Sequence, residues 1–246
     1  MMKMQTNHRP YPLPIRPWIM TQTWNDVFFI HWPVDFDDIR DKVPKPLYID
    51  TFNGRAWIGI VPFHITDFKV RDIFSIPFSS AFPEINVRTY VTYNNKPGVY
   101  FFSLDAGHWM ASVAARTAAR LPYFFSKIDV AKKNGIITYK SSRQDTNRLD
   151  GEFEGSFSSD HTTYKSEKGS LDEWLTERYC FYTTYRNKLY RCDIHHEKWE
   201  LQKAEGEILT NTLVSSQGIT LPDDKPVFHY ASRKKALIWP LIQVRK

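Results

Sequence analysis

Apolar residues recur along this chain with a two-residue period or in short unbroken runs, and both patterns belong to β-strands. The period is clearest from Glu84 to Tyr93. Ile85, Val87, Thr89, Val91 and Tyr93 fall on one side, and Glu84, Asn86, Arg88, Tyr90 and Thr92 on the other. Val99 to Leu104 is the expected partner strand, joined to it through Asn94 to Gly98. Trp24 to Trp32 is aromatic and β-branched, which also predicts a strand. Leu47 to Asp50 and Arg55 to Phe68 flank an Asn53-Gly54 turn and predict a hairpin. Its second arm contains Ala-Trp-Ile-Gly-Ile-Val, apolar at successive positions and therefore expected to be covered on both faces. Asn134 to Ser142, Gly151 to Ser158, Val227 to Tyr230 and Leu237 to Val244 read as further strands.

Helical patterns are few. Asp35 to Asp41 reads as a short capped helix ended by Pro44. His108 to Leu121 has the strongest helical period and stops at Pro122. Leu171 to Arg178 is preceded by Ser170 as N-cap, with Glu173 in the capping-box position. Tyr179 to His196 predicts a third hairpin. With Asn187-Lys188 as its turn, Cys180 faces His195 and Cys192 faces Thr183, so the two cysteines point to opposite sides and should not pair. Many strands and three short helices in one run without a linker predict an α+β, mainly antiparallel β, barrel-like fold. Residues 1–17 form a proline-rich lead-in, and residues 18–246 a single domain.

Composition narrows the function classes. Seventeen Phe, thirteen Tyr and eight Trp against ten Gly favour large side chains on strands over glycine-rich loops. The net charge of +6 permits attraction to anions, but Lys and Arg are scattered, with Arg233-Lys234-Lys235 the longest block. A scattered excess is a solvated surface, so nucleic acid is not an expected partner. No stretch reaches the length of a membrane-spanning helix, and Met1 to Trp18 lacks the apolar core of a signal peptide. Two cysteines do not make a disulfide framework. The expected compartment is the cytoplasm, with no membrane partner and with self-association left open.

Several groups invite a chemical reading. On the Glu84, Asn86, Arg88, Tyr90 face, a carboxylate and a guanidinium two pleats apart, with an amide between, can hold a polar ligand in a barrel mouth. Alternation alone describes a solvent-facing side of a sheet equally well. Arg116 and Arg120, one helical turn apart, can fork around a carboxylate or lie along a solvated helix edge. The Leu121-Pro-Tyr-Phe-Phe125 segment is too apolar for an exposed loop and should carry Tyr123 inward. Cys180, His195 and His196 lack a third convergent ligand, so no metal is expected, and no cofactor motif (GxGxxG or a Walker loop) is present. Ser103, Asp105 and His108 suggest a triad, but no strained nucleophile elbow accompanies the serine.

Six strings follow one another in a familiar order: Trp24–Trp32, Asp50–Phe63, Pro83–Val91, Pro97–Ala106, Ala118–Tyr123 and Thr176–Tyr182. Together they resemble the YqjF-like family of bacterial proteins of unknown function, over about residues 18 to 240. That family looks like a distant branch of the acetoacetate decarboxylase-like superfamily. The resemblance implies a cone-shaped, mostly antiparallel β-barrel with a central pocket, and it implies that Glu84 is a pocket glutamate. Acetoacetate decarboxylases form a Schiff base through a lysine just after a proline, its pKa lowered by its surroundings. Here the comparable proline is Pro122 and the next residue is Tyr123, with the nearest lysine at Lys127. The departure falls on the catalytic residue itself.

The expectation is therefore a small-molecule pocket protein, acting on a polar ligand that bears a carboxylate or carbonyl, without a Schiff-base lysine. Glu84 would be the general acid or base, and Asn86, Arg88, Arg116 and Tyr123 would line the pocket. The alternative is a non-catalytic ligand-binding or sensing protein.

Overall fold

The computed structural model describes residues 4–71, 81–109, 112–113, 116, 119–144 and 149–244. Thirteen strands join in one sheet. The first, β1 (Met20–Val34), pairs on one edge with β3 (Ala56–Val70), which pairs with β4 (Phe82–Tyr93), which pairs with β5 (Lys96–Ala106). The other edge of β1 pairs with β12 (Val227–Ile238).

These five strands belong to two closed circuits, because both end strands fork. Leu104–Ala106 of β5 run parallel to β6 (Tyr123–Lys133), whereas Val99 and Tyr100 run parallel to β9 (Cys180–Tyr185). On β12, His229 and Tyr230 pair with β11 (Gln202–Asn211), and Leu237 and Ile238 pair with β10 (Lys188–His195). The longer circuit closes through β6, β7 (Ile136–Arg143), β8 (Glu152–Ser159) and β11, giving nine strands in a ring. The shorter closes through β9 and β10. A closed ring leaves no open edge, which is how a large β domain avoids pairing with its neighbours. Two short edge strands, β2 (Tyr48–Ile49) on β4 and β13 (Ile242–Gln243) on β10, complete the sheet.

The expected mainly antiparallel barrel with few helices is the observed fold, and the β5–β6 and β5–β9 pairings are the parallel ones among the described strands. Its main core takes Ile85, Val87, Val91 and Tyr93 from β4 with Phe28 and Ile30 of β1 and Phe153 and Phe157 of β8. The helix Leu171–Thr176 begins at Ser170, whose hydroxyl accepts from the Glu173 amide as the capping-box spacing predicts. No helix among the described residues is long and apolar enough to cross a membrane.

Several expectations are corrected. The Asn53-Gly54 turn forms, with both residues at positive φ, but the strand before it pairs with β4 instead of β3. The β4–β5 connection is the two-residue turn Asn94-Asn95, both left-handed, so Pro97 already lies in β5. In the third hairpin the left-handed pair is Arg186-Asn187, one residue before the expected turn. That slips the register by two: Cys180 faces Asp193 and Cys192 faces Phe181. A slip of two preserves the faces, and both cysteines are buried free thiols. Among the described residues, Trp109, Ser112, Val113 and Arg116 are helical, but Arg120 has φ +55°. The helix therefore ends before Arg120, because the approach to Pro122 excludes helical backbone. Strands β6 and β11 were not anticipated; the expected strand Val227–Tyr230 continues to Ile238 as β12, and the expected strand Leu237–Val244 is divided between the end of β12 and β13.

The proline-rich lead-in lies against the β9–β10 hairpin. Arg9 donates to the Ile194 carbonyl at 2.8 Å and stacks over Tyr179, and Trp239 Nε1 donates to the Arg16 carbonyl at 2.6 Å.

Candidate functional site

The polar side of β4 is not a solvent face. Glu84 and Asn86 are 3% and 5% exposed, and Tyr90 is fully buried. Each is fixed by register: Glu84 lies between Phe63 on β3 and Ala106 on β5, and Asn86 between Val61 and Leu104. A bulge between Val87 and Arg88 lets β5 insert Phe102 and brings Arg88 opposite Phe101.

Tyr123 opens β6 beside Leu104, after an extended Leu121-Pro122 step whose Pro122 carbonyl accepts from the Leu104 amide at 3.1 Å. From there its hydroxyl donates to Glu84 Oε2 at 2.9 Å. Burial is the main influence on Glu84 and raises its pKa from the ordinary 4.5 to about 8. Hydrogen bonds from Tyr123 and Asn86 only partly offset it, and the nearby charge of Asp105 adds to the rise. At neutral pH Glu84 is thus a protonated acid, able to donate. Burial and the Glu84 carboxyl together push the Tyr123 phenol well above its ordinary range, so it stays a neutral donor.

Arg88 sits four residues along the strand from Glu84. Its guanidinium lies 5.5 Å from the Phe29 ring centroid and donates to the Leu175 carbonyl at 3.4 Å, and no carboxylate forms an ion pair with it among the described residues. The neighbouring cation, Arg178, is by contrast neutralised by Asp50 at 2.6 Å. Arg116 is placed elsewhere. It lines a cleft of about 250 Å³ with Arg120, Tyr100, Pro122, Thr183 and Tyr185, which Glu84, Asn86, Arg88 and Tyr123 do not line. Glu84, Asn86 and Tyr123 therefore form one hydrogen-bonded group, Arg88 extends it along β4, and Arg116 stands apart.

Four further residues on this side were missed by sequence reasoning. His31 on β1 shares a 2.6 Å contact with the Tyr90 hydroxyl. His229 on β12 lies 2.9 Å from Asp172 Oδ1, and Tyr164 donates to Asp172 Oδ2 at 2.9 Å. A histidine inside the apolar run Val27-Phe-Phe-Ile-His-Trp32 was the available signal for His31. The others depend on which strands meet, which spacing along the chain does not encode.

The other chemical candidates resolve into structure. Asp105 is clamped by Arg143 at 2.6 and 2.9 Å and accepts from Ser126 at 2.8 Å and Ser103 at 3.2 Å, so the Ser103 hydroxyl faces a neutralised carboxylate and no base. No group of three metal-ligating side chains gathers among the described residues. Lys127 is an exposed residue beside Asp129. Lys234 is buried, and burial lowers its pKa, but its ammonium donates to the Lys198 carbonyl at 2.8 Å.

Comparison with known proteins agrees with this architecture. A family model, DUF2071, described as "Uncharacterized conserved protein", matches residues 21–235. "Uncharacterized protein YqjF" of Bacillus subtilis (strain 168) is 51% identical over 224 residues, covering 91% of this chain and 92% of that one. Among solved structures, acetoacetate decarboxylase from Legionella pneumophila superposes with a TM-score of 0.65 at 12% identity, over 96% of this chain and 92% of its own. The enduracididine biosynthesis enzyme MppR complexed with pyruvate gives 0.65 at 12%, over 93% and 91%. At that identity the likeness concerns the fold alone. With the family model spanning most of the barrel and a relative sharing half its residues, this chain belongs to the DUF2071, or YqjF-like, family and has an acetoacetate decarboxylase-like fold.

Proposed function

We propose that the chain is a small-molecule pocket protein that takes a polar, carboxylate- or carbonyl-bearing ligand against the β4 face, without Schiff-base chemistry. The observation that carries this reading is the buried Glu84 carboxyl, held by Tyr123 at 2.9 Å and kept protonated by burial to about pH 8, four residues along β4 from Arg88, which has no ion-pair partner among the described residues. A protonated acid and a cation on one wall are both complementary to an anionic ligand. Glu84 is then the general acid and Tyr123 the donor that orients it. Burial sets the Glu84 proton affinity first, with Tyr123, Asp105 and Asn86 as the side chains that modulate it.

The test is binding of short carboxylic and keto acids, followed by thermal shift, since a ligand that binds only the folded state stabilises it by mass action. Arg88→Met should remove the shift. Glu84→Gln, which keeps a neutral donor, should retain binding but lose any turnover. A ligand that binds wild type and Arg88→Met equally would refute the site. A ligand that binds but is unchanged after long incubation would favour the non-catalytic reading, for which the missing lysine is the supporting observation.

A further inference from the structure

The wall that carries Arg88 continues across the sheet, and its buried polar atoms are not satisfied by the protein. His31 on β1, Gly59 on β3 and Arg88 on β4 are register partners in one row. A Cβ on Gly59 would lie 2.9 Å from His31 Cδ2, 3.0 Å from its Nε2 and 3.5 Å from Arg88 Cγ. The glycine thus lets the imidazole and the arginine stem lean over the same backbone. His229 enters from β12, directly across from Phe29, with its ring centroid 6.4 Å from that of His31. The Phe29 ring is common to the group, 6.2 Å from His31 and 5.5 Å from the Arg88 guanidinium.

Counting donors and acceptors fixes the roles of these rings. His229 Nε2 carries a hydrogen, which it donates to the Asp172 carboxylate. The His229 bond is the chief cause that keeps the Asp172 pKa low, so Asp172 is an acceptor here. Tyr90 has one hydroxyl hydrogen, directed to the Leu175 carbonyl at 2.9 Å, so His31 Nε2 must donate to the Tyr90 oxygen. Burial, with the charges of Arg88, His229 and Arg178, holds His31 neutral, so its Nδ1 is a bare acceptor. His31 and His229 are 0% and 3% exposed, yet both Nδ1 atoms, together with Arg88 Nε and Asn86 Oδ1, lack a protein partner. Buried polar atoms are rarely left unpaired, so four on one face mark a place that expects something bound.

Of these atoms, His31 Nδ1 and Asn86 Oδ1 accept hydrogen bonds, and Arg88 Nε donates with a positive charge. We propose that this row is the hydroxyl-recognising half of the pocket, and that its ligand is a small hydroxy acid whose carboxylate meets Arg88 and Glu84 while its hydroxyl donates to a bare imidazole Nδ1. The inference rests on the reading of the Glu84–Arg88 wall given above and adds the ligand class. A deoxy or keto acid has no hydrogen to offer and leaves the His31 Nδ1 unpaired. Sites that hydrogen-bond a substrate hydroxyl discriminate strongly against analogues lacking it. Tyr90 is a positioning residue: its oxygen holds the His31 hydrogen on Nε2 and so presents the lone pair on Nδ1.

The experiment is a ¹H–¹⁵N NMR titration of the full chain with lactate and 3-hydroxybutyrate against propionate, butyrate and acetoacetate, each at millimolar concentration. The hydroxy acids should bind at least about tenfold more tightly than their deoxy and keto counterparts. Tyr90→Phe, which removes the acceptor that holds the His31 hydrogen on Nε2, should erase that preference and move the His31 imidazole ¹⁵N resonances toward the other tautomer. Arg88→Met should weaken every acid alike. Equal binding of hydroxy and deoxy acids, with Arg88→Met still defective, would overturn the hydroxyl assignment and leave the pocket reading standing. Failure of every acid to perturb the wild-type spectrum would overturn both.

Discussion

The Tyr123 hydroxyl donates to Glu84 across 2.9 Å. The residue that follows Pro122 is therefore engaged in orienting a buried acid that burial keeps protonated. At that position the chain carries a neutral phenol, which donates a hydrogen bond and offers no amine.

Glu84→Gln should stabilise the protein in a pH-dependent way. The folded pKa of about 8 lies above the ordinary 4.5, so the folded state holds its proton more tightly than the unfolded chain. Stability from this group is fully present below about pH 4.5, declines as pH rises, and is lost above about pH 8. Each pKa unit corresponds to about 1.4 kcal/mol, so the loss amounts to a few kcal/mol. Urea denaturation of wild type and Glu84→Gln should show near-equal stability at pH 4 and a clear advantage for the variant at pH 9. A constant difference across that range would rule out the raised pKa.

Gly59→Ala should cost roughly 1–3 kcal/mol and weaken ligand binding together. The added methyl meets the His31 ring at 2.9 Å, and that ring is held by Tyr90 at 2.6 Å. Thermal denaturation and the His31 imidazole resonance report the two effects. An unchanged melting temperature and an unmoved His31 would contradict the packing described for this row.

Asp105→Ala should destabilise by about 3–5 kcal/mol, because it strands the Arg143 guanidinium, 1% exposed, without its counter-charge. A double replacement of Asp105 and Arg143 by apolar residues should recover much of that loss. A mild single-mutant effect, measured by chemical denaturation, would show that Ser103, Ser126 and the pair are not one buried network.

Borohydride treatment in the presence of acetoacetate should leave no mass adduct on any lysine. Lys127 is 72% exposed, and the Lys234 ammonium is taken by the Lys198 carbonyl. A stable adduct, mapped by peptide mass, would return the chain to Schiff-base chemistry.

Local periodicity made the strands legible and left their partners hidden. Alternation assigned Ile85 and Val87 to one side of β4 and Glu84, Asn86 and Arg88 to the other. Both sides proved buried, because β5 and β12 each fork and the sheet is covered twice, which no single strand encodes. The step from Pro122 into Tyr123 was readable from its apolar character. Arg116 was linked to Glu84 only by residue type, and the backbone turn at Arg120 directs that segment to another cleft. His229 and Asp172 are distant in sequence and meet only through the β1–β12 pairing and the helix Leu171–Thr176.

The most direct test of the Glu84 site is a ¹³C NMR titration of its side-chain carboxyl, with and without saturating 3-hydroxybutyrate. The midpoint should lie near pH 8 in the free protein and move upward when the anion binds, since the ligand prefers the protonated acid. A midpoint in the usual carboxylate range, or one that saturating ligand leaves in place, would contradict the account.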